Sequence, residues 1–189
     1  MIQDLDDTLK ELLVRKVPLE PALVDIDFAM PTKDWAARIQ KPTVDLYLYD
    51  LRENLDLRGN EPLIERRGTL ADEQRPPVRI DLTYLITVWA SDIADEHQLL
   101  GTLLGALLRY PRLPAEVLQG AMRHQPLPLR AWIAQPERTP NAWDVWGTLD
   151  GRLKAGISYV VTAAWQPFTP VERTLVTESV VRIHDEVPS

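Results

Sequence analysis

The positions of sixteen prolines constrain the fold of this 189-residue chain more than any other feature. Proline lacks a backbone N–H and fixes φ, so helix interiors and central strands exclude it. Four long stretches contain no proline, residues 1–17, 43–61, 78–110 and 141–166, and residues 171–187 form a shorter fifth. We therefore expect the helices and strands to lie inside these stretches. The segments between the stretches should form the connecting loops.

The first proline-free stretch predicts an amphipathic helix. Its apolar residues recur at spacings of three and four, which places them on one helical face: Ile2, Leu5, Leu9, Leu12 and Leu13. Acidic residues stand near its start and Arg15 and Lys16 near its end, an order that suits the helix dipole. Pro18 ends the helix.

Alternation of apolar and polar residues predicts five strands. They cover residues 22–28, 43–49, 78–90, 156–165 and 174–183. The third is longer than a usual strand, which indicates a central position in a sheet.

A second helix is predicted directly after the longest strand. Ser91 or Asp92 can cap it, and its body, residues 99–108, is apolar over most of its circumference. We expect such a helix to be buried on more than one side, with Gly101 and Gly105 allowing a close approach to the sheet. A short turn or helix over residues 114–122 and an extended proline-rich piece to about Thr139 follow.

Strands on both sides of single helices, without regular β-α-β alternation, indicate the α+β class. We expect a mixed, mainly antiparallel sheet flanked by about two helices. The length suits one domain over residues 1–189, with a charged arm at about 51–77 and a short flexible tail at 184–189.

The predicted arm is the part of the chain best suited to binding. Residues 51–77 hold eleven charged side chains and few large apolar ones, which is typical of an extended hairpin. Its candidate interface residues are Arg52, Glu53, Arg58, Arg66, Arg67 and Arg75. Trp143 and Trp146 join them as candidates, although core and interface roles are equally compatible with their loop at 141–150.

The sequence offers no motif for catalysis, a cofactor or a metal. The absence of cysteine excludes thiolate chemistry, and the three histidines share no ligand spacing. The acidic residues of 92–96 suit a helix N-terminus better than a metal site. A net charge of −7 disfavours nucleic acid as a partner. With no signal peptide and no apolar run long enough for a bilayer, we expect a cytoplasmic protein without membrane contact.

Several stretches together resemble one known family. They are residues 34–38 (DWAAR), 41–54 (KPTVDLYLYDLREN), 75–90 (RPPVRIDLTYLITVWA), 95–101 (DEHQLLG) and 110–111 (YP). These stretches are similar to the N-terminal domain of the cap, or tail-terminator, proteins of extracellular contractile injection systems, which are related to phage tail terminators. The similarity covers nearly the whole chain and is weakest in its C-terminal third.

The resemblance implies a structural assembly protein rather than an enzyme. Family members form a hexameric ring that ends the inner tube and engages the last sheath ring. The implied partners are therefore further copies of the chain, the inner tube protein and the sheath protein, in a particle that can leave the cell. Two alternatives stay open: a stand-alone adaptor or regulatory domain, and an enzyme with a small-molecule pocket against the central sheet.

Overall fold

The computed structural model describes residues 1–17, 19–68, 70–135, 147 and 154–174. Three α-helices lie in this part of the chain: α1 (Ile2–Lys16), α2 (Lys33–Ala36) and α3 (Ile93–Leu107). Eight strands lie there as well: β1 (Asp25–Asp27), β2 (Thr43–Glu53), β3 (Leu63–Arg67), β4 (Leu70–Gln74), β5 (Val78–Trp89), β6 (Arg130–Ile133), β7 (Gly156–Trp165) and β8 (Val171–Thr174). Short 3-10 helices cover Leu55–Leu57, Ala115–Val117 and Gly120–His124.

The main sheet has five strands in the order β1-β2-β5-β7-β6. β1 runs parallel to β2, and the other neighbours are antiparallel. This mixed, mainly antiparallel sheet confirms the predicted α+β class. The longest predicted strand is β5, and it lies in the centre of the sheet as expected.

One face of the main sheet carries the hydrophobic core. The predicted apolar stripe of α1 is buried there except for Ile2, which is partly buried, and Leu103, Ala106 and Leu107 of α3 are buried there as well. Tyr84 of β5 is fully buried and its hydroxyl donates to the Asp6 carboxylate of α1 at 2.7 Å. Burial raises the pKa of Asp6.

A polar contact joins α1 to the segment before β6. The hydroxyl of Thr8 is buried, donates to the Asp4 carbonyl at 2.7 Å and accepts the Gln119 N–H at 2.9 Å. The next residue, Gly120, has a φ of +47°. A Cβ there would overlap the Asp4 carboxylate, so the close approach requires glycine at this position.

The expected burial of α3 on more than one side is wrong. Asp92 caps the helix by accepting the Ala94 N–H at 2.7 Å, but only one face of α3 reaches the core. Gly101 and Gly105 lie on the opposite, exposed face, and a Cβ at either would meet nothing within 4 Å. The glycines therefore do not bring the helix closer to the sheet.

Several strand boundaries differ from the prediction. β1 is shorter than the predicted strand 22–28, because the Leu23 and Val24 N–H groups close a turn on the Glu20 carbonyl. β2 continues past Tyr49 to Glu53, with a register shift after Leu48, so the arm starts later than residue 51. β6 lies in the piece that was predicted as extended and proline-rich but not as a strand.

A second sheet has three strands in the order β3-β4-β8. β3 and β4 lie within the predicted arm, and β8 joins them from a later part of the chain. We call this second sheet the arm sheet. Gly68, with a φ of +65°, lies in the turn between β3 and β4. β8 spans Val171–Thr174 rather than the predicted 174–183, and the rest of that prediction lies outside the described residues, as does the predicted tail at 184–189.

Matched glycine substitutions test this account of the fold. Gly120→Ala forces a side chain into a positive φ and against Asp4, so we expect a loss of about 1–3 kcal/mol in unfolding free energy. Gly101→Ala is the control, because it adds a methyl in open space on a helix and is expected to gain up to about 1 kcal/mol. Chemical denaturation measures both, and equal effects would contradict the packing described for Gly120.

Candidate assembly interface

An ion pair holds the segment where the arm leaves the main sheet. Arg58 donates from Nε and Nη2 to the two carboxylate oxygens of Glu53, both at 2.7 Å. This bidentate bond lowers the pKa of Glu53 and raises that of Arg58. Arg52, the neighbour of Glu53, contacts the Asp50 carboxylate at 2.6 Å.

Arg75 marks the return of the chain from the arm to β5. Its guanidinium lies 5.4 Å from the ring centroid of Phe168, and its carbonyl accepts the Gln166 side-chain N–H at 2.9 Å. Pro76, which follows it, lies so close to Gly59 that a Cβ on that glycine would be 3.1 Å from the proline side chain. These contacts fix both chain passages at the base of the arm.

The arm sheet itself is exposed to an unusual degree. All five residues of β3 and all four of β8 are exposed, and Ala71 of β4 is its single buried residue. Its exposed apolar side chains are Leu63, Ile64, Leu70 and Val171. Three-stranded sheets need an apolar face or a packing partner for independent stability, so this sheet presents surface that another protein can cover.

An apolar groove lies beside the base of the arm. It has a volume of about 370 Å³ and is lined by Ile2, Leu51, Arg52, Glu53, Val78, Ile80, Trp165 and Pro167. Leu51 is exposed at its rim. The groove therefore adds apolar surface on the main sheet, beside the residues at the base of the arm.

The predicted interface residues form two groups. Arg52, Glu53, Arg58 and Arg75 lie around the base of the arm, whereas Arg66 and Arg67 lie on β3. Their interface role stays a prediction, and Trp143 and Trp146 lie outside the described residues.

The third strand of the arm sheet, β8, was not predicted from the sequence. β8 places Glu172 and Arg173 beside β4, and Arg173 donates to Glu73 at 2.7 Å. Two β-branched residues shortly after Pro170, Val171 and Thr174, were the available signal. A strand of four residues is too short for that pattern to stand out.

The second face of the main sheet carries buried polar groups. Asp45 of β2 is fully buried, and neither carboxylate oxygen has a hydrogen-bonding partner among the described residues. Burial, reinforced by the neighbouring Asp27, raises the pKa of Asp45 to about 8. Asp27 instead accepts the Trp35 indole N–H at 2.8 Å, and Trp35 meets Trp89 edge to face at 5.4 Å.

Neither a metal-binding cluster nor a membrane-spanning helix is found in the part of the chain that the structure describes. No group of three or more potential ligands could hold a metal ion there. Within the same residues, no helix is long and apolar enough to cross a membrane.

The buried Asp45 predicts how the free energy of unfolding depends on pH. Its pKa is about 8 in the folded chain and near 4 when unfolded, so the folded state alone binds this proton between pH 4 and 8. Stability should therefore fall as pH rises through that window. Asp45→Asn is expected to remove this fall and to gain at least about 2 kcal/mol at pH 8.5.

Denaturant titrations between pH 5 and 9 measure this effect. The exposed Asp56→Asn is the matched control and is expected to follow the wild-type curve. Parallel curves for Asp45→Asn and wild type would refute a buried, protonated Asp45.

Comparison with known proteins places this architecture in a family. The family model described as the Pvc16 N-terminal domain matches residues 4–178. No curated protein sequence matches the chain significantly. Among solved structures, the chain is similar to the sheath/tube terminator of PVC, an extracellular contractile injection system, in the extended state. That similarity has a TM-score of 0.71 and 22% identity over 99% of this chain and 64% of the other.

A second solved structure agrees with the first. The tube-terminating cap of the anti-feeding prophage matches with a TM-score of 0.68 and 20% identity, over 97% of this chain and 62% of the other. The chain thus spans less than two thirds of both proteins. One is described as a sheath/tube terminator and the other as a tube-terminating cap, and neither description names an enzymatic activity. The match over residues 4–178 shows that the chain belongs to the Pvc16 N-terminal domain family.

Proposed function

We propose that this chain ends the inner tube of a contractile injection system as a hexameric ring and engages the last sheath ring. The family and the shared fold support the terminator role. The observation that carries the assembly role is the exposed arm sheet, whose two outer strands have no buried residue.

The cost of exposing the arm sheet favours a role in subunit contacts. Four large apolar side chains of one small sheet face solvent in the single chain. Fully burying an apolar side chain of this size is worth about 1.5–3 kcal/mol, and covering these side chains, which are 36–61% exposed, gains roughly half of that. An assembly that covers several of them in each subunit therefore gains considerable stability without any change in the main sheet.

The position of the arm suits a ring. A ring requires two different surfaces on each subunit that fit head to tail. The arm follows one end of β2, and the opposite end begins at Thr43, beside a groove lined by Asp25, Asp27, Trp35 and Arg38. Eleven residues of extended strand separate the two ends by roughly 33 Å. The subunit therefore has distinct surfaces at its two ends.

The base of the arm and the arm sheet form the proposed subunit interface. The base offers Arg52, Glu53, Arg58 and Arg75 beside an apolar groove, and this combination of arginine and apolar surface is typical of the centre of protein interfaces. The tube and the sheath are the proposed partners at the two rims of the ring.

Tube assembly in the presence of the purified chain tests the proposed function. Tubes assembled with the wild-type protein are expected to carry a ring at one end and to stop growing, so electron microscopy should show capped tubes of limited length. Tubes assembled without it should grow to a broad range of lengths. Uncapped tubes of equal length in both samples would contradict the terminator role.

An exposed apolar residue tests the arm in the same assay. Ile64→Asp places a charge on β3 and is expected to lower the ring fraction at least tenfold while the chain stays folded. Leu127→Asp is the matched control, because Leu127 is about as exposed but lies outside the arm. Analytical ultracentrifugation measures the ring fraction, and circular dichroism checks the fold. Equal ring fractions for the two variants would exclude the arm from the interface.

A further inference from the structure

Strand register gives the arm sheet two chemically different faces. Residues directly opposite each other on neighbouring strands share a face. The first, which we call the acidic face, carries Glu65 opposite Asp72 and Asp72 opposite Glu172. The second, which we call the basic face, carries Arg66 opposite Ala71 and Ala71 opposite Arg173.

The acidic face is incompletely neutralised. Its three carboxylates stand in one row across the strands, an arrangement that like-charge repulsion disfavours. Arg67 forms an ion pair with Asp72, but among the described residues Glu65 and Glu172 have no ion-pair partner. Three acidic side chains and one arginine give this face a net charge of −2.

The basic face has the opposite character. Arg173 pairs with Glu73, and Arg66 has no ion-pair partner within the described part of the chain. Two arginines and one glutamate give a net charge of +1. Ile64 and Val171 flank the arginines on this face, with 58% and 53% of their surfaces exposed.

We propose that the arm sheets of neighbouring copies stack, with the acidic face of one copy on the basic face of the next. This inference rests on the proposed ring and names how its subunits meet. Each face offers the charge that the other lacks, and the stack also covers the exposed apolar side chains on both faces.

The opposite net charges of the two faces favour a head-to-tail arrangement over a two-fold pairing. A two-fold pairing through the acidic faces would bring Glu65 and Glu172 of one copy against the same residues of its partner, which like-charge repulsion opposes. Stacking the acidic face of one copy on the basic face of the next leaves the pair with one free basic face and one free acidic face. Such contacts repeat from copy to copy and can close into a ring.

Charge-swap variants of the full chain test the stack. Glu65→Arg/Glu172→Arg changes the acidic face from a net charge of −2 to +2, so both faces become basic, and Arg66→Glu changes the basic face from +1 to −1, so both become acidic. Each variant alone is therefore expected to lose at least 90% of its rings in analytical ultracentrifugation. An equimolar mixture should restore rings, because an even-numbered ring can alternate the two variants. The combined variant Glu65→Arg/Glu172→Arg/Arg66→Glu should also form rings, since its faces carry net charges of +2 and −1 and are exchanged but still complementary.

The outcomes separate this inference from the proposed function. Rings from the wild type and from both charge-swap variants would overturn the stack and leave the ring intact. Loss of rings in the charge-swap variants without restoration in the mixture or the combined variant would also overturn it. A wild-type chain that neither forms rings nor caps tubes would contradict the proposed function itself.

Disulfide trapping gives a second measurement, because the chain has no cysteine of its own. Oxidising a mixture of Glu65→Cys and Arg66→Cys chains is expected to give cross-linked pairs of the two variants. Glu65→Cys alone is the control and should stay mostly uncross-linked. Efficient cross-linking in the control alone would show acidic faces in contact and overturn the proposed arrangement.

Discussion

The fold depends on the pairing of β5 with a strand on each side. β2 and β7 hydrogen-bond to it along almost its whole length, so the central strand fixes the register of the main sheet. Its core face supports α1 and α3, and Tyr84 ties α1 to the sheet through Asp6. The chain returns from the arm to the N-terminal end of β5 through Pro76 and Pro77. Core and arm are thus both anchored to one strand.

The sequence pattern predicted β5, β7 and α1 well, and the reason is physical. β5 and β7 are long and free of proline, and every second residue over most of their length meets a large apolar core. The predicted boundaries of β7 match the observed Gly156–Trp165. The apolar stripe of α1 was predictable for the same reason, because its residues contact that core directly. Long elements with one buried face carry a signal in nearly every residue.

The prediction failed where contacts rather than local pattern decide the structure. α3 is apolar around most of its circumference, yet the described chain covers only one face, so composition overstated its burial. β8 is a strand only because β4 lies beside it. Asp45 follows the alternation of a half-buried strand, and no local signal shows that its face of the sheet is covered too. The charged residues of the arm were found, but their division between two faces required the register of β3, β4 and β8.

The central claim is that the arm sheet is covered by another protein in the assembly. Hydrogen–deuterium exchange of wild-type rings and of the dissociated chain tests it most directly. Backbone amides of residues 63–67 and 70–74 are expected to exchange at least tenfold more slowly in the ring, whereas those of β5 should exchange equally slowly in both states. Equally fast exchange of the arm sheet in the ring and in the dissociated chain would contradict the account.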